Sequence, residues 1–200
     1  MSIIWLNGPS SSGKTTIAKV LQGNFTETFL HVTLDAFLDM LPTRASQSDQ
    51  RLSREIQPVV RGFYGAVFAL ARAGNKLIVD DVIVETDWLR ECVWIFSQEP
   101  VLFVGVRCRP ETLEERERIR GDRHIGQAVW QLPRVHAHGV YDVEVDTSSQ
   151  AIEECAQRIL KAFASPPRPS AFERLRVLLS KPANQTVDPD ARKSGARRTT

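Results

Sequence analysis

Gly8-Pro9-Ser10-Ser11-Ser12-Gly13-Lys14-Thr15, near the start of the chain, has the types and spacing to hold phosphate. The stretch fits G-x-x-x-x-G-K-[ST], the P-loop pattern. Its glycines let backbone N–H groups turn inward around phosphate oxygens, and a helix starting there adds favourable partial charge. Lys14 is placed to reach β- and γ-phosphates, the Thr15 hydroxyl to sit on Mg²⁺, and Thr16 to extend the binding set. A nucleoside triphosphate with Mg²⁺ is the expected ligand.

Three further sets of residues can act on such a ligand. Asp35 follows an apolar run and is a candidate base for an acceptor hydroxyl; its equal alternative is an N-cap of the next helix. Asp80-Asp81 ends another apolar run in the Walker-B manner, with Asp80 the preferred Mg²⁺ ligand and Asp81 the lesser candidate. Arg116, Arg120 and Arg123 can close on phosphates and stabilise transition-state charge. The alternative for Arg116 and Arg118 is an exposed arm stitched by Glu111, Glu114, Glu115 and Glu117, whereas Arg120-Gly121-Asp122-Arg123 suits a lid hinged on glycine. His136 and His138 have no third partner at zinc-site spacing. Trp130, Leu132 and Val135 are candidates for an apolar pocket or for core.

These residues need a scaffold that brings strand ends together. Ile3–Leu6, Leu30–Leu34, Lys76–Asp81, Pro100–Val106 and Val143–Asp146 read as strands. Helical spacing is expected after Lys14, over Pro58–Ala73, from Glu85 to Phe96, from Pro110 to Ile119 and over Ala151–Phe163. The Pro110 helix is nearly all charged and is expected as a solvated arm, and Thr43–Glu55 as a surface excursion over a substrate. Strands alternating with helices predict an α/β fold: a five-stranded parallel sheet with helices on both faces and ligands at the carboxyl ends of the strands.

The 200-residue chain is 42% hydrophobic and 25% charged, which suits a globular protein with one domain and a tail. Residues 1–164 are expected to form that domain. Residues 165–200 read as a Pro-rich linker, a short helix over 171–180 that docks on the core or on a partner, and a basic disordered tail. Net charge is +2 overall, but eight Lys/Arg against three acids after Ala164 leave the remainder acidic. A solvated tail is preferred over a nucleic-acid arm. No membrane span and no signal peptide are expected. The cysteines, Cys92, Cys108 and Cys155, are widely spaced and predict reduced core residues of a cytoplasmic protein.

The order of motifs resembles the chloramphenicol 3-O-phosphotransferase family of shikimate-kinase-like P-loop kinases. The likeness is carried by Leu6-Asn7-Gly8 with the Ser-rich loop, Leu34-Asp35, Ala71–Gly74, Ile78–Val82, Val104–Cys108, Arg120–Arg123 and Gly139–Thr147. It spans about the first 160 residues and is weakest from Leu38 to Arg61, where such enzymes shape the acceptor pocket. Pro9 and Ser12 stand where the family pattern has Gly and Ala. The resemblance implies a shikimate- or adenylate-kinase-like P-loop NTPase fold and transfer of the γ-phosphoryl of ATP to a hydroxyl of a small molecule, chloramphenicol first, with Asp35 as catalytic base beside Lys14, Arg120 and Arg123. The alternatives are a toxin-like kinase acting on a nucleotide sugar, and a P-loop ATPase switch with a nucleic-acid-binding tail. A homo-oligomer is left open.

Overall fold

The computed structural model describes residues 1–41, 49–121 and 125–180, with the side chains of 49–55 left aside. The strands are β1 (Ile3–Asn7), β2 (Phe29–Thr33), β3 (Lys76–Asp81), β4 (Val101–Arg107) and β5 (Val143–Asp146). The helices are α1 (Lys14–Asn24), α2 (Leu34–Leu38), α3 (Asp49–Arg72), α4 (Thr86–Ile95), α5 (Pro110–Arg120), α6 (Gln127–Val135), α7 (Ile152–Ala164) and α8 (Ala171–Ser180). The strands form one parallel sheet in the order β2-β3-β1-β4-β5. The runs Ile3–Leu6, Leu77–Val79 and Val101–Val104 of its central strands are continuously apolar because both faces are covered. Along β1, Ile3 and Trp5 enter the core beneath α3, α4 and α8, while Ile4 and Leu6 enter the core beneath α1 and α7.

This topology places the chemistry. β1, β2 and β3 run side by side in one direction, so their carboxyl ends share an edge. The register sets Leu6 and Thr33 beside Asp80, two residues short of Gly8 and of Asp35 respectively. The sheet and α/β expectations hold, and the Ala171–Ser180 helix is present. Of its two expected docking places, α8 takes the core: Ala171, Phe172 and Leu175 are buried in the cluster that holds Trp5 and Phe103. Two backbone amides anchor it there through Asp142, which accepts from Phe103 and Ala171.

Three expectations change. First, α3 begins at Asp49, so 49–55 is helical and Pro58 lies inside the helix rather than at its start. Burial of Val60, Phe63, Tyr64 and Val67 on one face holds the helix through the missing proline N–H. The rest of the Thr43–Glu55 excursion lies outside the described residues. Second, α6 was not foreseen as a helix; Pro133 within it obscures the pattern. Third, α5 is no solvated arm. Leu113 and Glu117 on it are fully buried, and Glu117 caps α6 by accepting from the amides of Gly126 (2.7 Å) and Ala128 (2.7 Å). The expected basic tail after Ser180 lies outside the described residues, as do Asp122 and Arg123.

Candidate active site

The loop from Gly8 to Gly13 joins the end of β1 to the start of α1. Ser11 and Gly13 adopt left-handed backbone angles, φ 59° and 91°. Gly8 has no room for a side chain: a Cβ there would lie 2.5 Å from the Val106 carbonyl oxygen of β4. The loop is therefore pressed against the sheet.

Its outer carbonyls are held from behind. Arg116 donates to Ser11 O (3.2 Å), to Thr147 Oγ1 (3.0 Å) and to Thr147 O (2.9 Å). Thr147 Oγ1 donates to Ser12 O (2.7 Å). Arg116 thus leaves the exposed-arm alternative and becomes a brace of the loop. Deeper in, Asn7 donates to Val135 O (3.2 Å) and Tyr141 Oη (3.0 Å), and accepts from the Ile83 amide (3.0 Å). One amide side chain ties the root of the loop to the end of α6 and to the segment after β3. Tyr141 also meets His136 Nδ1 at 2.7 Å. Burial holds His136 down to about 3 and His138 down to about 4, with the Arg107 charge acting the same way, so both imidazoles are neutral at neutral pH.

The two aspartates of β3 part company because successive strand residues face opposite ways. Asp80 accepts from Thr15 Oγ1 (2.7 Å), with Lys14 Nζ at 3.6 Å and His31 Nε2 at 3.7 Å. Burial acts to raise its pKa, but Lys14, His31 and the Thr15 hydroxyl outweigh it and keep the carboxyl below its usual range. Asp81 points into the core, accepting from Trp5 Nε1 (3.2 Å) and the Val82 amide (2.7 Å). Burial pushes it up to about 7. Asp80, and not Asp81, belongs to the site edge.

Asp35 is in the first turn of α2. The cap of that helix is Thr33, whose Oγ1 accepts from the Ala36 amide at 3.2 Å, so the capping alternative for Asp35 falls away. Asp35 lines the same cavity of about 1120 Å³ as Ser10, Ser11, Gly13, Lys14, Thr15, Thr16 and Asp80. Arg116 and the exposed Arg120 line it as well. Its far wall is apolar: Leu34, Leu38, Ile56, Val82, Val84 and Trp88, with Ile119 and Trp130 at the α5–α6 side. Trp130 is half exposed and stacked under the Arg134 guanidinium at 4.1 Å, whereas Val135 is core and Leu132 packs beside Cys108.

Two observations bear on a phosphate ligand. Ser11 Oγ and Ser12 Oγ are buried with no partner among the described residues, and the Lys14 ammonium folds back onto Gly8 O (2.9 Å) and Pro9 O (2.8 Å). Buried hydroxyls without partners are costly, and a phosphate in the loop gives them acceptors and gives Lys14 a second counter-charge beside Asp80. The residues fit the group. Thr15 and Asp80, in contact and both facing the cavity, present one hydroxyl and one carboxylate, the kind of sparse oxygen set Mg²⁺ takes when phosphates supply the rest. The signal for these residues was local in sequence. Glu117 and Gln131 act across more distant segments and gave none beyond their type; Arg116 was legible as a phosphate-facing candidate and Asn7 as part of the family likeness, but neither as a brace.

Comparison with known proteins agrees with this geometry. The family model described as "Chloramphenicol phosphotransferase-like protein" matches residues 1–164. Two Mycobacterium tuberculosis proteins, from strains CDC 1551 / Oshkosh and ATCC 25618 / H37Rv and provisionally named O-phosphotransferases, are each 31% identical over 196 residues, covering 87% of either chain. Among solved structures, Mycobacterium tuberculosis APS kinase in complex with AMPPNP and APS superposes with a TM-score of 0.63 at 16% identity, over 82% of this chain and 98% of that one. Acinetobacter baumannii shikimate kinase in complex with shikimate gives 0.55 at 17%, over 82% and 94%. The last two speak for the fold, which is that of the P-loop kinases. No helix among the described residues is long and apolar enough to cross a membrane. The chain belongs to the chloramphenicol phosphotransferase-like family and is a P-loop small-molecule kinase, an O-phosphotransferase.

Proposed function

We propose that the chain transfers the γ-phosphoryl of ATP to a hydroxyl of a small, largely apolar molecule, with chloramphenicol the first candidate acceptor. The observation that carries this reading is one cavity with two unlike ends: Lys14, Thr15 and Asp80 at the phosphate end, the apolar wall from Leu34 to Trp88 at the other, and Asp35 among them. The APS kinase that shares the fold holds AMPPNP and APS together, which supports a two-substrate site here.

In this mechanism the loop amides and Lys14 hold the β- and γ-phosphates. Asp35 accepts the proton of the acceptor hydroxyl as its oxygen bonds to the γ-phosphorus and the bond to the β,γ-bridging oxygen breaks. A weak base is enough, since phosphoryl transfer rests on positioning and charge stabilisation. Arg120, and Arg123 from outside the described residues, close on the transferring group. Thr15 and Asp80 hold Mg²⁺, which supplies charge neutralisation at the phosphates. The apolar wall orients the acceptor's carbon frame and excludes water from the reacting oxygen.

The test is mass spectrometry of chloramphenicol incubated with the protein, ATP and Mg²⁺, beside a panel of other alcohols. The expected product is a phosphate monoester of chloramphenicol or of another apolar alcohol. Esterification of charged sugars alone would overturn the acceptor class while leaving the kinase.

A further inference from the structure

One P-loop amide is engaged by a side chain of α6. The Ser10 N–H donates to Gln131 Oε1 at 2.7 Å. Gln131 is buried, on the turn of α6 that also carries Trp130 into the cavity. The helix bearing it is fixed to the same loop by a second route. On α5, Arg116 grips the loop through Ser11 O while its neighbour Glu117 caps α6 at Gly126 and Ala128. Loop, α5 and α6 therefore form a closed ring of contacts, and the Gln131–Ser10 bond is the link that lies inside the phosphate-binding cavity.

An amide has one hydrogen. A neutral carboxamide oxygen and a phosphoryl oxygen cannot both align with it, and the anionic acceptor makes the stronger bond. We propose that Gln131 is a positioning residue that occupies the Ser10 amide in place of a phosphoryl oxygen and gives it up when the triphosphate binds. This rests on the reading that the loop takes nucleotide phosphates. Gln131 keeps a buried N–H satisfied before the nucleotide arrives. Its displacement then releases the cavity-side tie of α6 and lets Trp130 settle on the acceptor, while the Glu117 cap still holds the start of the helix. The site thereby couples filling of its phosphate end to the shape of its apolar end through a single side chain.

The idea predicts opposite effects from two substitutions, which a merely structural role does not. Gln131→Leu removes the competitor, so AMPPNP with Mg²⁺ binds about fivefold tighter, the worth of one net hydrogen bond. Gln131→Glu keeps an acceptor, strengthens it with charge and repels phosphate, so AMPPNP binds about tenfold weaker or worse. Isothermal titration calorimetry on wild type and both variants reads this directly, without turnover; Gln131→Met replaces the leucine variant if that one does not fold. The order Leu tighter than wild type tighter than Glu supports the proposal, and any other order overturns it. Absence of AMPPNP binding by the wild-type chain overturns both this inference and the kinase reading on which it rests, whereas wild-type binding with an unchanged or weakened leucine variant overturns this inference alone.

Discussion

The two ends of the cavity are built differently. At the phosphate end nearly every group is fixed by a direct polar contact: Ser11 and Ser12 carbonyls by Arg116 and Thr147, Asp80 by Thr15, the loop root by Asn7. At the acceptor end the wall is made of side chains such as Leu34, Leu38, Val84 and Trp88 that share no directional bond, only contact. The difference follows from the ligands. Phosphate presents the same oxygens in every reaction, so its cradle gains from preorganised donors. An apolar wall is non-directional, tolerates changes of shape, and on the proposed function is where acceptor choice would be set. Leu38 and Ile56, from the stretch whose likeness to the family is expected to be weakest, line the cavity on that second end.

The contrast can be broken from either side, and of the two ends the phosphate end is expected to give the larger effect. Lys14→Ala removes the cation that faces the phosphates and lowers kcat by about 10²–10³ in steady-state assays, with the acceptor KM little changed. Loss of acceptor affinity instead would mean that the two ends are not separate.

Arg116→Ala comes next. It removes three hydrogen bonds behind the loop without touching the reacting atoms, and is expected to weaken AMPPNP binding about tenfold in calorimetry. Arg116→Lys does not restore it, because an ammonium cannot span Ser11 O and both Thr147 oxygens. Full rescue by lysine would reduce the brace to simple charge.

At the acceptor end, Trp88→Ala is expected to raise the acceptor KM about tenfold while leaving the nucleotide KM within about twofold. An equal rise in both would remove the apolar wall as a separate determinant.

The smallest effect concerns the support beneath both ends. His136 is held at about 3, below its ordinary 6.5, so between those values the unfolded chain binds a proton that the folded chain refuses. Stability is complete above pH 6.5 and falls as pH drops toward 3. From pH 7 to pH 5 the wild-type chain loses on the order of 1–2 kcal/mol from this group, and His136→Gln loses less. Thermal melts of both proteins at the two pH values measure it; parallel losses would deny His136 that role.

The phosphate cradle was legible in the sequence because its residues act at fixed short spacing: Gly8 to Thr15 make one loop, and Asp35 and Asp80 each end an apolar run. Alternation within β3 even distinguishes Asp80 from Asp81, once Trp5 is seen to hold the latter. The braces were not legible. Asn7 acts on Val135, Arg116 on Ser11 and Gln131 on Ser10, each across more than a hundred residues, and no local pattern encodes such pairs. Charge misled in α5, where one buried carboxylate, Glu117, stands among exposed ones that look the same in sequence. Proline misled in α3 and α6, where tertiary burial of Val60 and Phe63 in one case and of Ala128 and Val135 in the other outweighs the local cost.

The central claim is that Asp35 serves the acceptor and not the nucleotide. Asp35→Asn keeps the shape and removes the base, and both AMPPNP affinity and phosphoryl transfer are measured on the same preparation, with the acceptor identified by mass spectrometry. The account predicts an AMPPNP Kd within about twofold of wild type and transfer reduced by about 10²–10⁴. Transfer at the wild-type rate, or loss of nucleotide binding in step with loss of transfer, would contradict it.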